Sequence, residues 1–480
     1  MASKYWESPS PRAGSFSGET VVFLVLASVV VTTSAETFLL GRLEPVFVKG
    51  ASEGFRNLCV RNVIFYTKKQ AAQGLRGWRL LGRASRFSKK RAYLPYPFDS
   101  QVHFRDPGFP EKETFATGTK SAILGGVTTV LDMPNTSPNT SNRDRYLEKL
   151  EDCGTKAFCD FGLFIGATPE NSAQLSELEN LPGCCGLKIF MGASTGDLLV
   201  GEDKDLHNSL ASGNKLVAIH SEDHNFLVKR KEKYVVPGDP GSLPQWRNVA
   251  SAVSSTQRIL KLARETGRKI HVLHITTDEE LKILKEHQNI STVECLPQHL
   301  LFSAPQCYEQ LGTRAQMNPP IRIKQLQDAL WKAIDEELIH VVASDHAPHT
   351  LAEKAKLYPQ SPSGMPGVQT LLPIMLNFVS QGRLSLEKMI RMLSIHPARL
   401  YKMKGKGGIY IGQDADFTVV NLKEKRTLKD ENMATQCGWT PYNGIQVQGW
   451  PKSTIVRGQT VMENDTVLKE CWGRHLKFFA

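Results

Sequence analysis

From residue 99 onward, short runs rich in Val, Ile, Leu and Phe recur at regular intervals along the chain. They are DSQVHF (99–104), GVTTVLDMP (126–134), FCDFGLFIGA (158–167), CGLKIFMG (185–192), KLVAIHSED (215–223), KIHVLHITT (269–277), STVECLPQ (291–298) and LIHVVASDHAP (338–348). Several are separated by amphipathic stretches with helical spacing that end near Gly or Asn, among them RDRYLEKLEDCG, SAVSSTQRILKLARETG and DEELKILKEHQ. Eight nearly continuous apolar strands alternating with helices predict an α/β fold, a parallel (β/α)8 TIM-like barrel buried on both faces. A doubly wound open sheet is the competing fold, and the Gly-rich phosphate loop it usually carries after its first strand is missing. After residue 400 the texture changes to GGIYIGQDADFTVVNL and KSTIVRGQTVMEN, strand-and-turn sequence suited to a small β-sandwich built from terminal segments. Three regions follow: an atypical basic segment over 1–98, the barrel over 99–400, and a β-domain segment over 401–480.

Nearly every strand run ends in a His, Lys, Asp or Asn. In a (β/α)8 barrel the C-terminal strand ends share one face, so His103, Asn135, Lys188, His220, His274 and Asp345 are expected to converge, with Arg105, Asn318 and His349 close behind. Three histidines and an aspartate at one mouth form an imidazole and carboxylate donor set that suits zinc. On an extended strand, Asp99, Gln101, His103 and Arg105 are expected on one side and Val102 and Phe104 on the other. His346 and His299 read as structural residues or as supports behind the site.

Charge adds a division rather than a function. The chain carries a formal charge of +11. Residues 1–98 hold 15 Lys and Arg, 5 Glu and no Asp, which leaves 44 basic against 43 acidic residues in the remainder. The basicity therefore sits in the first fifth, and nucleic acid is not an expected partner. Nine scattered cysteines without a CxxC pair argue against a disulfide framework or a zinc ribbon, and Cys185 and Cys295 read as core residues. The apolar run Val21–Val31 is short for a membrane span and lacks a clearly basic preceding region. A signal-like segment, a buried strand and sequence foreign to the folded protein all stay open; cytoplasmic location without membrane attachment is the expectation.

The motifs VHFRDPG, LDMPNTSP, GLKIFMGASTGD, IHSED, VLHITT, MNPPIR and SDHAPH, with GWTPYNG and IVRGQ near the end, together resemble the dihydroorotases, cyclic amidohydrolases of pyrimidine synthesis. The resemblance runs from about Asp99 to the C-terminus. It implies reversible cyclisation of N-carbamoyl-L-aspartate to dihydroorotate. It also implies that His103, Lys188 as a carbamate, His220, His274 and Asp345 hold two zinc ions, with Asp345 as general acid/base. Arg105, Asn135 and His349 would hold the substrate carboxylate, while Asn318 and the Ser363–Gly364 backbone would meet the ring amides. An allantoinase- or dihydropyrimidinase-like amidohydrolase is the alternative, as is a catalytically impaired homologue acting as a binding subunit. The expected partner is the small-molecule substrate, and the resemblance also allows a homodimer or a complex with other pyrimidine-pathway enzymes.

Two departures stand out. Gln101 occupies the place of a histidine metal ligand, so one zinc ion in place of two is a further expectation. Residues 1–98 show little of the strand-and-turn alternation such proteins begin with, and much of this segment is expected to be foreign to the fold or a divergent or targeting extension.

Overall fold

The computed structural model describes residues 91–479, apart from 194–197, 410 and 411, together with four earlier strand segments. The chain divides into two units, Met1–Asn62 and Val63–Ala480. In the first, Thr20–Thr32 pairs antiparallel with Thr37–Lys49, so the apolar run Val21–Val31 lies in a strand. In the second, Tyr66–Lys68 and Trp78–Leu80 form a short antiparallel pair. Beyond these segments, the expectations for the basic N-terminal region fall outside the described residues up to residue 90.

All eight barrel strands form where the apolar runs lie. β1 (Arg91–Pro95) precedes them; the barrel comprises β2 (Phe98–Val102), β3 (Thr129–Asp132), β4 (Asp160–Gly166), β5 (Cys184–Phe190), β6 (Val217–His220), β7 (Ile270–Val272), β8 (Ser291–Cys295) and β9 (Val341–Val342). They pair in parallel and in sequence order. A parallel bridge between Val102 and His346, with the His103 amide donating to the His346 carbonyl at 2.7 Å, joins the two ends of the sheet. The helix over Val249–Thr266 illustrates why the connections are helical. Asn248 caps its start by accepting from the Ser251 amide, and Gly267 takes the left-handed conformation at its end.

Alternation along the strands separates two cores. Val217 and Ile219 on β6, Leu187 and Ile189 on β5, and Phe161, Leu163 and Ile165 on β4 pack outward against the helices. Ala218, Phe164, Leu131 and Phe98 face an inner cluster with Tyr401. Burying each such apolar side chain contributes about 1.5–3 kcal/mol. That surplus offsets the polar groups the barrel mouth buries.

The second sheet is antiparallel. It contains β10 (Phe417–Thr427), β11 (Gln446–Val456), β12 (Gln459–Glu463) and β13 (Thr466–Val467), in the order β13-β12-β11-β10-β1. β1, which lies ahead of Asp99, pairs along β10 from Phe417↔Pro95 to Asn421↔Arg91. Lys406 ties this sheet to the barrel: its ammonium lies 2.8 Å from Asp160 on β4 and 3.0 Å from Asp414, and also contacts Asp416. Among the described residues, Asp160, Asp414 and Asp416 bring three carboxylates within 4.8 Å of one another. Lys406 already supplies the charge. The C-terminal segment also reaches the mouth, where the buried Trp439 donates from its indole N–H to the His349 carbonyl at 2.8 Å. No helix among the described residues is long and apolar enough to cross a membrane.

Candidate active site

The strand ends converge on a recess lined by Gln101, His103, Arg105, Asn135, Lys188, His220, His274, Asn318, Asp345, Ser363 and Gly364. His349 stands behind Arg105, with its Nε2 at 3.5 Å from Nη2 of the guanidinium. The expected residues are thus brought together, with one correction to the row on the first strand. A bulge between Asp99 and Val102 shifts the register, so that Asp99 accepts hydrogen bonds from the Ser344 amide at 3.0 Å and the Gln101 amide at 3.3 Å. It braces the last strand against the first and does not line the recess. Arg105, His274 and Asp345 all take positive φ, at 60°, 38° and 47°. Left-handed backbone is costly for such residues and persists only where the surroundings impose it.

Donor atoms face each other in two groups. His220 Nδ1 and His274 Nε2 are 3.1 Å apart. His103 Nε2 is 3.1 Å from Asp345 Oδ1, which also accepts from Gln101 Nε2 at 2.9 Å. Ligand atoms around a cation with bonds of about 2.0–2.1 Å lie roughly 3 Å apart, so both spacings suit a small divalent ion. Protonation is right as well. Burial lowers the pKa of His103 and His220 and takes that of His274 well below its ordinary value, which leaves lone pairs available.

Lys188 is fully buried, its Nζ has no hydrogen-bond partner, and burial lowers its pKa to about 7. A neutral amine is the form that reacts with carbon dioxide, so the site suits the carbamate reading. The residues present therefore fit a metal centre.

Sequence reasoning missed what stands behind the histidines. Glu222 Oε2 lies 2.9 Å from His220 Nε2, and Arg247 Nε reaches the same carboxylate at 3.0 and 3.1 Å. Burial alone would raise the Glu222 pKa; Arg247 and the His220 hydrogen bond hold it down to about 2. A carboxylate accepting from Nε2–H fixes the tautomer with Nδ1 free to face His274. Glu222 is two residues from His220, so the strand period could have signalled it; nothing local pointed to Arg247. By contrast, His346 behaves as a support: Nε2 is 3.1 Å from Glu113, and Nδ1 accepts from the Gly367 amide at 3.0 Å. His299 likewise faces the Pro319 carbonyl at 3.1 Å.

Across the recess the chemistry differs. Arg105 is 2 % exposed, and its Nε and Nη1 have no partner. Burial lowers its pKa to about 10, so it stays charged at neutral pH. Burial also lowers the His349 pKa to about 3, so this imidazole is neutral; its Nε2 lies 3.1 Å from the Ser363 carbonyl. Gly364 sits at φ +136°, where a Cβ would meet the Ala347 carbonyl oxygen at 2.5 Å. Only glycine lets this loop approach the strand end so closely. Lys354 holds the loop from behind, donating to the carbonyls of Pro362 at 2.7 Å and Gly364 at 3.1 Å.

A barrel of this topology with His, Lys and Asp at its mouth defines the amidohydrolase class, and residues 94–461 match the model of the Amidohydrolase family. The chain is 36% identical over 378 residues to a dihydroorotase from Halobacterium salinarum, covering 78% of this chain and 87% of the relative. It is 34% identical over 379 residues to a dihydroorotase from Methanothermobacter thermautotrophicus, covering 78% and 85%. Among solved structures, L-hydantoinase (dihydropyrimidinase) from Arthrobacter aurescens superposes with a TM-score of 0.77 at 27% identity, covering 80% of this chain and 88% of that one. The chain belongs to the amidohydrolase family and, within it, to the dihydroorotases.

Proposed function

We propose that the chain catalyses the reversible ring closure of N-carbamoyl-L-aspartate to (S)-dihydroorotate in pyrimidine synthesis. The observation that carries this reading is Arg105, a buried guanidinium with two donors unpaired beside the His, Lys and Asp cluster. A desolvated, permanently charged fork of that kind is matched by a carboxylate, which dihydroorotate carries and neutral hydantoins or dihydrouracil lack. Asn135 and the neutral His349 flank the same carboxylate. Asn318, whose Oδ1 is buried without a partner, and the Ser363–Gly364 backbone meet the ring amides.

His220 and His274 would hold one divalent cation and His103, Asp345 and Gln101 a second, with Lys188, as a carbamate, a further ligand. When bound, the cations polarise the scissile carbonyl and make water nucleophilic at neutral pH. In the hydrolytic direction, water adds to the ring carbonyl, Asp345 takes its proton, and the ring C–N bond breaks as Asp345 returns that proton to the leaving nitrogen. Ring closure reverses these steps: the ureido nitrogen attacks the side-chain carboxyl carbon, and one oxygen leaves as water.

The test is turnover by the zinc-loaded chain on dihydroorotate and carbamoyl-aspartate, beside allantoin, hydantoin and dihydrouracil. Preference for the acidic ring is expected. Zinc binding without dihydroorotate turnover, or preference for allantoin, overturns the reading.

A further inference from the structure

We infer that the two cation positions at this mouth are unequal: the one between His220 and His274 is tight, the one served by His103, Asp345 and Gln101 is weak and exchangeable, and Gln101 sets the difference. The inference rests on the metal-site reading above.

Three observations point the same way. The first is donor chemistry. Two imidazole nitrogens face each other at the first position, whereas the second offers one imidazole, one carboxylate and a neutral amide. An amide oxygen is a poorer ligand for zinc than an imidazole.

The second is the support behind each histidine. His220 donates to Glu222, which is also ion-paired with Arg247, and all three side chains are buried. A charged acceptor raises the basicity of the ligating nitrogen. His103 has its Nδ1 against the Asn135 side-chain oxygen at 2.6 Å, a neutral partner that supplies no such charge.

The third is the hydrogen bond Gln101 already makes. Its Nε2 donates at 2.9 Å to Asp345 Oδ1, the same oxygen that faces His103 Nε2. Gln101 thus draws on a lone pair the second cation needs, while its own Oε1 is buried without a partner. To ligate through Oε1, the amide must rotate and give up the bond to Asp345. Each position is spanned by a hydrogen bond that a cation would replace, but at the second the amide that should ligate is itself tied to the carboxylate that should ligate. The hydrogen bond meanwhile keeps Asp345 oriented while that position is empty.

The measurement is zinc per chain by elemental analysis after equilibrating the bicarbonate- and zinc-loaded protein against a graded competing chelator. Loss in two steps is expected, the first at a free zinc concentration roughly tenfold or more above the second. Gln101→His is expected to merge the steps by tightening the weaker position. Loss of both ions in one step from the unaltered chain, or an unchanged two-step curve in Gln101→His, overturns the inference. Should the histidine variant fail to fold, Gln101→Glu supplies an anionic oxygen and is expected to narrow the gap; an unchanged gap overturns it equally. Dihydroorotate turnover by the same samples separates the two claims. Turnover with a one-step curve defeats only the inequality, whereas no retained zinc and no turnover defeats the site reading and the inference with it.

Discussion

Glu222 Oε2 lies 2.9 Å from His220 Nε2, and Arg247 Nε donates to the same oxygen at 3.0 Å and to Oε1 at 3.1 Å. The pair makes a neutral imidazole a directed ligand. Glu222→Gln keeps the shape but removes the charge and leaves the tautomer of His220 unassigned. Zinc affinity is expected to fall roughly 10–100-fold, read by chelator competition. Unchanged affinity would show that the pair only braces the strand end.

Arg105 carries two predictions of opposite sign. Arg105→Met is expected to lower kcat/KM for dihydroorotate by about 10²–10³-fold through loss of charge-assisted hydrogen bonds. The same change removes a buried charge two of whose donor nitrogens, Nε and Nη1, are unpaired in the free protein. Thermal unfolding of the substrate-free variant should therefore occur at a higher temperature than that of the parent. A lower unfolding temperature would count against the guanidinium being poised for substrate.

Asp345 is the proton carrier in the proposed reaction, and Asp345→Asn retains the hydrogen bond from Gln101 while removing the base. The expected drop in kcat is roughly 10²–10⁴-fold. A variant with kcat close to that of the parent would move the proton transfer to another group.

Lys354 gives a pH-dependent signature. Burial lowers its pKa to about 7, well below its value in an unfolded chain. Between pH 7 and about 10.4 the unfolded state binds the extra proton, so this residue makes stability rise with pH across that window. Lys354→Met should flatten the rise in denaturant titrations. It should also raise KM more than it lowers kcat, because the Ser363–Gly364 loop loses its anchor. Parallel pH curves for parent and variant would contradict the assignment.

Lys406 anchors the antiparallel sheet to the barrel through Asp160, Asp414 and Asp416. Lys406→Met leaves the buried Asp416 without its cation, while Asp160 keeps Arg457, a loss of about 3–5 kcal/mol. The check is the unfolding midpoint in urea, with Lys406→Arg restoring part of the difference.

The barrel was legible in the sequence because each strand is an apolar run buried on both faces and closed by a polar residue. Those closing residues line one recess, so reading the strands also brought His103, Lys188, His220, His274 and Asp345 together. The cationic supports Arg247 and Lys406 were not legible. Arg247 meets Glu222 across 25 residues and Lys406 meets Asp160 across 246, separations over which local pattern carries no information. The bulge that turns Asp99 away was also hidden. A strict alternation of two predicts the whole row, and only pairing with the neighbouring strand shows where the register slips.

The bridge between Val102 and His346 gives the chain's chronology a role. His103 and Arg105 emerge from the ribosome long before Asp345, and that bridge lies beside all three. A chain still lacking its ninth strand holds most of the mouth's donors but neither the proton carrier nor the oxygen shared by Gln101 and His103. Catalytic competence therefore arrives late in synthesis and all at once, so a truncated or half-folded copy is expected to be inert rather than partly active.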